Sequence, residues 1–241
     1  MIKRINKPQH FFISLSALIL IQISVTQVEC GMRSADFSFR IPHSQANLGA
    51  LIDGLQAKYS RMKGLAADFV QVYHTTDGRT KRESGTLLLK RPGKARWNYL
   101  SPERKVFVSD GKNIFFHVSG EKYATRSTVK RSIDPQIPFL FLLGRGNLRK
   151  DFSSIEVMTD ERPVESGNVV LQLVPKRAPE DFKQILAEVS PQRFTVNRLV
   201  IIERTGARMD FYLSNVRENH IADDSEFNFT PPAGVSIRQA Q

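Results

Sequence analysis

The sequence contains a single cysteine, Cys30, among its 241 residues. One thiol excludes an intramolecular disulfide, a zinc site built on paired cysteines and a dithiol redox centre. Cys30 follows an apolar N-terminal run, where a lipid-modified cysteine would stand. However, Val28 and Glu29 are unlike the small residues expected before such a cysteine. We therefore expect Cys30 to be removed with a leader segment or to lie in an unstructured N-terminus.

Catalytic and metal-binding motifs are missing as well. No histidine pair has helical i, i+4 spacing, and there is no H-E-x-x-H, no G-x-S-x-G and no glycine-rich phosphate loop. The acidic pairs Asp160-Glu161 and Asp223-Asp224 adjoin turn signals, so we interpret them as surface groups, and His117 as a packed histidine. These absences predict a protein that is not an enzyme and that needs no metal or cofactor. An exported hydrolase with an unfamiliar site remains an alternative.

The N-terminus has the layout of a secretory signal. Lys3, Arg4 and Lys7 precede an apolar run from Phe11 to Val25, which is too short for a comfortable membrane span. We expect residues 1–30 to be a signal peptide, with an uncleaved anchor as the alternative, and residues 31–44 to be an N-terminal extension. The mature protein would then lie in the periplasm.

The chain is basic, with a net charge of +11. The charge falls to +9 without residues 1–30, because that stretch holds three basic residues and one acidic residue. No nucleic-acid recognition module accompanies the charge, so we expect no nucleic-acid partner. An exported basic protein meets anionic lipid headgroups and acidic proteins instead. Basic residues are also dispersed through hairpins such as Arg79–Arg82, as on an ordinary solvated surface.

Two periodicities predict the secondary structure. Between Gln45 and Met62, apolar residues recur at the i, i+3, i+4, i+7 spacing of one amphipathic helix, and Gly64 is placed to end it. After Gly64 the period changes to two, and Asp77-Gly78, Asp110-Gly111 and Ser119-Gly120 supply turns. We count ten or eleven short strands and no linker, and therefore predict one domain over residues 45–237 with a curling antiparallel sheet.

One segment interrupts this strand pattern. Between Asp134 and Phe152, Pro135 and Pro138 bracket the entry to five consecutive apolar residues, Phe139–Leu143. A continuous apolar run does not show the alternation of a half-buried strand. It predicts an apolar segment that leaves the sheet.

Three motifs in this order resemble the LolA family of periplasmic lipoprotein carriers. They are Leu88–Gly93 leading to Arg96-Trp97, then Val108–Lys112, and finally Phe227–Val235, with Pro138–Leu140 in between. With the amphipathic helix before them, they cover residues 45–237. Ala95 departs from the family pattern, because relatives usually carry an aromatic residue there.

The resemblance implies a fold, a function and partners. The fold would be mainly β (α+β), an incomplete antiparallel β-barrel of about 11 strands with a helical lid over its concave apolar face. The function would be that of a periplasmic chaperone that binds the acyl chains of lipoproteins and carries them from the inner to the outer membrane. The expected partners are acylated lipoproteins, an inner-membrane ABC-type releasing complex and an outer-membrane lipoprotein receptor. We expect the carrier itself to be a monomer.

The same resemblance assigns site residues. Arg91 would fasten the lid when the cavity is empty, and Phe139–Leu143 would form the lid. We expect the acyl chains to contact the sheet interior and the lid at Phe69, Trp97, Phe107, Phe115, Phe139, Leu140, Leu142 and Leu143.

A related half-barrel lipid-binding protein is the main alternative to a carrier. It could be an outer-membrane receptor, a glycolipid carrier or an envelope sensor. A receptor would carry a lipid on Cys30, whose sequence context is poor for that modification.

Overall fold

The computed structural model describes residues 45–129, 146–176 and 182–240. All of these described residues belong to one compact unit. The predicted leader, the N-terminal extension and the predicted lid at Phe139–Leu143 lie outside the described residues. The helices are α1 (Gln45–Arg61) and α2 (Leu148–Asp151), with one 3₁₀ helix at Asp224–Phe227. The strands are β1 (Gly64–His74), β2 (Thr80–Lys90), β3 (Lys94–Ser101), β4 (Lys105–Asp110), β5 (Asn113–Val118), β6 (Tyr123–Thr128), β7 (Phe152–Val157), β8 (Val169–Pro175), β9 (Phe182–Ser190), β10 (Thr195–Glu203), β11 (Arg208–Glu218) and β12 (Ser236–Gln239).

These twelve strands join one open sheet in the order β12-β6-β5-β4-β3-β2-β1-β11-β10-β9-β8-β7. The prediction of a mainly β protein with one open antiparallel sheet is confirmed. The sequence-based count missed β12, which pairs with β6 in parallel. The three turn glycines Gly78, Gly111 and Gly120 have positive φ, as the tight turns require. β1 lies near the middle of this order and pairs with both β2 and β11.

Helix α1 covers one face of this sheet, which we call the inner face. Its apolar stripe is buried at Leu51, Ile52, Leu55 and Tyr59. The helix ends at Arg61, and Gly64 opens β1 instead of capping the helix. A side chain at Gly64 would clash with the His220 carbonyl oxygen. No helix in the described ranges is both long and apolar enough to cross a bilayer.

The sheet curls around the inner face. The rings of Trp97 on β3 and Phe211 on β11 have centroids 5.5 Å apart. In a flat sheet these strands would lie about 14 Å apart, because two strands stand between them and neighbours are spaced by about 4.8 Å. Gly85 on β2 lies between the two strands, where an added Cβ would lie 1.9 Å from the Asn98 carbonyl oxygen and 3.0 Å from a Phe69 ring carbon. The absent side chain lets the backbone of β3 come close and leaves room beside the Phe69 ring.

The C-terminal segment covers part of the opposite, outer face. Phe227 is fully buried, and the Phe229 ring stacks on Phe115 of β5 with centroids 5.2 Å apart. Asp224 binds the ammonium groups of Lys90 and Lys94 at 2.6 and 3.0 Å. The outer faces of β2 to β5 are therefore held by the end of the chain.

A network of charges covers the outer face of β9 to β11. The guanidinium of Arg198, 5% exposed, lies 3.1 Å from Glu188, 3.0 Å from Glu161 and 3.5 Å from Asp210. Arg208 joins the network by pairing with Glu161 and Asp210, both at 2.7 Å. The hydrogen bond from Arg208 is the main reason that the pKa of Glu161 lies below its ordinary value. The acidic residue noted at position 161 therefore has a structural role.

Candidate functional site

An apolar cavity lies between α1 and strands β7 to β10. The space inside it that could admit a water-sized group is about 30 Å³, roughly room for one water molecule. Its walls come from α1, α2 and the inner faces of the four strands. They include Ile52, Leu55, Leu148, Phe152, Leu171, Leu173, Ile185, Ala187, Val189, Val196 and Leu199.

The two polar side chains of α1 in this lining are already hydrogen-bonded. The backbone N–H of Val196 donates to the Tyr59 hydroxyl at 2.8 Å, and the N–H of Leu148 donates to Gln56 at 2.8 Å. Burial raises the pKa of Tyr59, so its hydroxyl stays neutral. The cavity therefore presents mainly carbon atoms, which suits an aliphatic ligand.

The other half of the inner face is packed with aromatic rings. Phe69 makes edge contacts with Trp97 at 4.8 Å and with Tyr99 at 5.0 Å between ring centroids, and Trp97 in turn contacts Phe211. Edge-to-face geometry is favoured between such rings because of their quadrupoles. We call this group the aromatic half, and the wall of the cavity over β7 to β10 the aliphatic half.

A polar cluster closes one end of the aromatic half. Glu83, 6% exposed, binds Lys105 at 2.6 Å and Lys81 at 2.9 Å, while the Tyr99 hydroxyl donates to Gln71 at 2.8 Å. Burial alone would raise the pKa of Glu83, but the two lysines outweigh it, so its pKa lies below the ordinary value. The carboxylate is therefore charged at neutral pH and joins strands β2 and β4 across the end of the core.

Arg91 ties helix α1 to the turn between β2 and β3. Its guanidinium donates to the Ser60 carbonyl at 2.5 Å, and its backbone N–H donates to the Lys63 carbonyl at 3.0 Å. Ser60 lies in the last turn of α1, where carbonyls have no partner within the helix and the helix dipole is negative. A cation is well placed to hold this end of the helix.

The structure brings some of the sequence-predicted residues together. Phe69, Trp97 and Phe107 are all buried in the core of the inner face, and Ala95 is fully buried there as well. Phe115 does not lie with them, because it faces the outer surface and stacks on Phe229. Its neighbour Phe116 pairs with Phe107 and packs against the inner core instead. The predicted lid residues Phe139, Leu140, Leu142 and Leu143 lie outside the described residues.

Sequence reasoning missed the aliphatic half. Its strands read as continuous apolar runs such as Val169–Leu171 and Leu199–Ile202, which do not show which residues face inward. The outer faces of these strands are apolar as well, because a second hydrophobic cluster lies there. It consists of Val170, Leu186 and Val200, with Met158 and Ile202 packed against it. In the described part of the chain, no group of three histidine, cysteine or acidic side chains could hold a metal ion.

Comparisons with known proteins agree with this geometry. Residues 60–230 match the family described as outer membrane lipoprotein carrier protein LolA. An outer-membrane lipoprotein carrier protein from Edwardsiella ictaluri (strain 93-146) is 30% identical over 184 residues, which cover 76% of this chain and 84% of the relative. Another protein of that name, from Methylococcus capsulatus (strain ATCC 33009 / NCIMB 11132 / Bath), is 30% identical over 174 residues, or 72% of this chain and 80% of the relative.

A solved structure shares the fold. The crystal structure of an uncharacterized conserved protein from Thermus thermophilus has a TM-score of 0.50 and 10% identity, and the match covers 80% of this chain and 99% of that one. At such low identity the likeness concerns the fold alone. The family match over residues 60–230 and the 30% identity to curated relatives go further. This chain belongs to the LolA family of outer membrane lipoprotein carrier proteins.

Proposed function

We propose that this protein binds the acyl chains of lipoproteins and carries them through the periplasm to the outer membrane. The observation that carries the proposal is the apolar cavity between α1 and the inner face of the sheet, with a lining mainly of carbon atoms. A shuttle for acyl chains needs such an enclosed apolar surface, and it must also cover that surface when it is empty. Here α1 covers it.

Burial of the apolar side chains of α1 and burial of an acyl chain contribute similar free energies. Five side chains of α1 and the residue after it are buried, and each contributes roughly 2 kcal/mol, which makes on the order of 10 kcal/mol. An acyl chain with about a dozen buried CH₂ groups contributes on the order of 10 kcal/mol as well. An acyl chain that would otherwise face water can therefore replace the helix at little net cost, whereas a chain taken from a bilayer is already buried and needs an external source of energy. The five residues are Leu51, Ile52, Leu55, Tyr59 and Met62.

In such an exchange, a tie of about 1 kcal/mol is enough to shift the ratio of closed to open states about fivefold. The bond from Arg91 to the Ser60 carbonyl exists only while α1 lies on the sheet, so it favours the empty, closed state. The apolar segment Phe139–Leu143, the lid predicted from the sequence, would add to the same cover. Cargo binding requires that this cover moves, since the closed cavity has room for only about one water molecule.

The proposal includes a direction of transport and two partners. An ATP-driven inner-membrane complex would load the carrier, and an outer-membrane receptor would take the cargo. The chain itself would act by binding, not by catalysis, and as a monomer. The acyl chains would contact the rings of Phe69, Trp97, Phe107 and Phe116 on the inner face, and the aliphatic half would form the adjustable wall.

The test is release of lipoproteins from membranes. Purified mature protein is added to spheroplasts, and acylated lipoproteins in the soluble fraction are measured as a defined complex with the protein. We expect release, and we expect Leu142→Glu to abolish it, because a charge in the predicted lid would have to be buried. Leu100→Glu is the matched control, since Leu100 is 56% exposed.

Two outcomes would contradict the carrier proposal. A folded protein that binds free lipid but releases no lipoprotein would indicate a glycolipid carrier or an envelope sensor. Normal release by Leu142→Glu would show that residues 139–143 do not cover the cavity.

A further inference from the structure

The two ends of the half-barrel differ in charge. The strand registers place the α1–β1 connection, the β2–β3 turn, the β4–β5 turn and the end of β11 at one end, which we call the Arg91 end. The tips of the β1–β2, β3–β4, β5–β6 and β10–β11 hairpins lie at the other, the hairpin end. Arg91 and the last turn of α1 thus share one end of the molecule.

Four exposed cations surround Arg91 at its end. Arg61 and Lys63 flank the α1–β1 connection, Arg217 lies opposite Ala66 on β11, and Lys112 lies in the β4–β5 turn. Lys63 accepts a hydrogen bond from Arg91 at its backbone carbonyl, and its own N–H donates to Asn219 at 3.2 Å. We call these four cations the basic corner.

Contacts between the turns hold the basic corner together. An added Cβ at Gly111, next to Lys112, would lie 3.0 Å from the Pro92 carbonyl oxygen. That turn therefore packs on the turn that carries Arg91. Ile221, 58% exposed, follows His220, whose carbonyl packs on Gly64, so an exposed apolar side chain adjoins the cations.

The carboxylates near the basic corner already have partners, and Asp110 accepts hydrogen bonds from the backbone N–H groups of Lys112 and Asn113 at 2.7 and 2.6 Å. Glu218 binds Lys58 at 2.6 Å, and Asp224 binds both Lys90 and Lys94. Within the described ranges, none of the four corner cations has an acidic partner within 4.0 Å. The positive charge of the corner is therefore available to an outside partner.

The hairpin end is different, because most of its loop cations directly follow an acidic residue, whereas at the basic corner only Arg217 has an acidic neighbour in sequence, Glu218, which binds Lys58. Arg104 follows Glu103, Lys122 follows Glu121 and Arg204 follows Glu203 along the chain. Arg79 pairs with Asp77 at 2.7 Å. Opposite charges within a Debye length largely cancel each other's field for a distant partner. Arg82, Arg104, Lys122 and Arg204 also lack an acidic partner within 4.0 Å in the described ranges, but a glutamate directly precedes three of them, so their positive charge is partly offset.

We propose that the basic corner docks this protein on the anionic headgroups of a lipid bilayer. Its cations lie on three separate chain segments, the end of α1 with the α1–β1 connection, the end of β11 and the β4–β5 turn, instead of in one cleft, which suits a broad layer of phosphates better than a single shaped peptide. Cations near an anionic leaflet each add to the attraction, and an exposed isoleucine among them can enter the interface. Docking by this end turns Arg91 and the end of α1 toward the membrane.

Vesicle binding by the purified mature protein tests the proposal. Sedimentation with vesicles of phosphatidylcholine containing about 30% phosphatidylglycerol should show binding that weakens as salt rises, and pure phosphatidylcholine vesicles should bind at least about tenfold less. The variant Arg61→Glu/Lys63→Glu/Arg217→Glu should bind anionic vesicles at least about tenfold more weakly. The matched control Arg82→Glu/Arg104→Glu/Arg204→Glu makes the same charge change at the hairpin end and should lose less than about threefold.

Two results would overturn membrane docking. Equal losses in the two triple variants would show that only net charge matters. Absence of binding by the unaltered protein would reject membrane docking and favour an acidic protein as the partner of the basic corner. Both variants are first compared with the unaltered protein by thermal unfolding, so a folding defect is recognised. The vesicles contain no lipoprotein, so failure here is distinguishable from failure of the carrier function.

Discussion

The aromatic half and the aliphatic half belong to the same inner face, yet they are packed in different ways. In the aromatic half, Phe69 meets Trp97 and Tyr99 edge to face, and Gly85 leaves room beside the Phe69 ring. In the aliphatic half, branched side chains surround a small cavity under α1. Flat rings in fixed edge contacts resist rearrangement, whereas aliphatic side chains adapt to a new neighbour. We infer that the aromatic half is the fixed wall and that the aliphatic half is the wall that changes when cargo enters.

Loss of a ring from the fixed wall should have the largest effect. Phe69→Ala should lower the free energy of unfolding by about 3–5 kcal/mol, because Phe69 is 1% exposed and contacts two other rings. Denaturant unfolding measures the change. Phe115→Ala, on the outer face and only half-buried, should lose clearly less. Similar losses in the two variants would contradict a specially packed aromatic half.

One substitution made in both halves gives the sharpest comparison. Ala95→Leu should destabilise the protein by about 1–3 kcal/mol through overpacking, since Ala95 is 0% exposed in the tightly packed half. Ala187→Leu points toward the cavity, which takes up part of the added side chain, so it should cost less than Ala95→Leu, but it should reduce lipoprotein release because it fills space that an acyl chain needs. A larger loss of stability in Ala187→Leu than in Ala95→Leu would show that the aliphatic half, not the aromatic half, is the fixed wall.

The variant Arg91→Leu tests whether the bond at the C-terminal end of α1 holds this helix over the cavity. Arg91→Leu removes the bond to the Ser60 carbonyl and should lower the free energy of unfolding by about 1 kcal/mol. It should also favour the open, loaded state, so cargo would be accepted but passed to the receptor more slowly. Transfer is followed as loss of the soluble complex. Arg96→Leu, which removes bonds on the outer face, is the control, and unchanged transfer by Arg91→Leu would refute the role of the tie.

The smallest expected effect is the pH dependence of stability that comes from Glu83, at the polar end of the aromatic half. The pKa of Glu83 is lowered in the folded protein, so its stabilising contribution is complete above the unfolded pKa of about 4.3 and is lost as the pH falls through the folded value. Glu83→Gln should therefore destabilise the protein at neutral pH, and its difference from the unaltered protein should shrink below about pH 4. Unfolding at a series of pH values measures this. Glu103→Gln, in an exposed hairpin, should show no such convergence.

Sequence periodicity predicted the elements that have one buried face. The stripe of α1 and the alternation in β1 to β6 follow from half-buried geometry, and the family motifs supplied the open barrel. β12 was missed because its four residues are all exposed and show no alternation. Its position depends on parallel pairing with β6 and on Arg238, whose guanidinium lies 4.3 Å from the centre of the Tyr123 ring.

The sequence indicated which side chains face inward only on strands that have a single apolar face. Phe115 and Phe116 are adjacent, so they face opposite sides of β5, and the sequence alone could not show that Phe229 makes the outer side apolar too. The same reason hid the aliphatic half, whose strands pack on both faces. The position of Arg91 was predicted from the family motif, but its bond to α1 depends on where the helix ends.

The place of β1 in the sheet also has a consequence for how the chain reaches its native state during synthesis. β1 is among the first elements made, yet one of its two partners is β11, where Arg208 pairs with His74, and the edge of β6 waits for β12 near the C-terminus. Such distant pairings make folding slow and leave strand edges exposed meanwhile. The native sheet therefore cannot be completed until β11 and β12 have been synthesised.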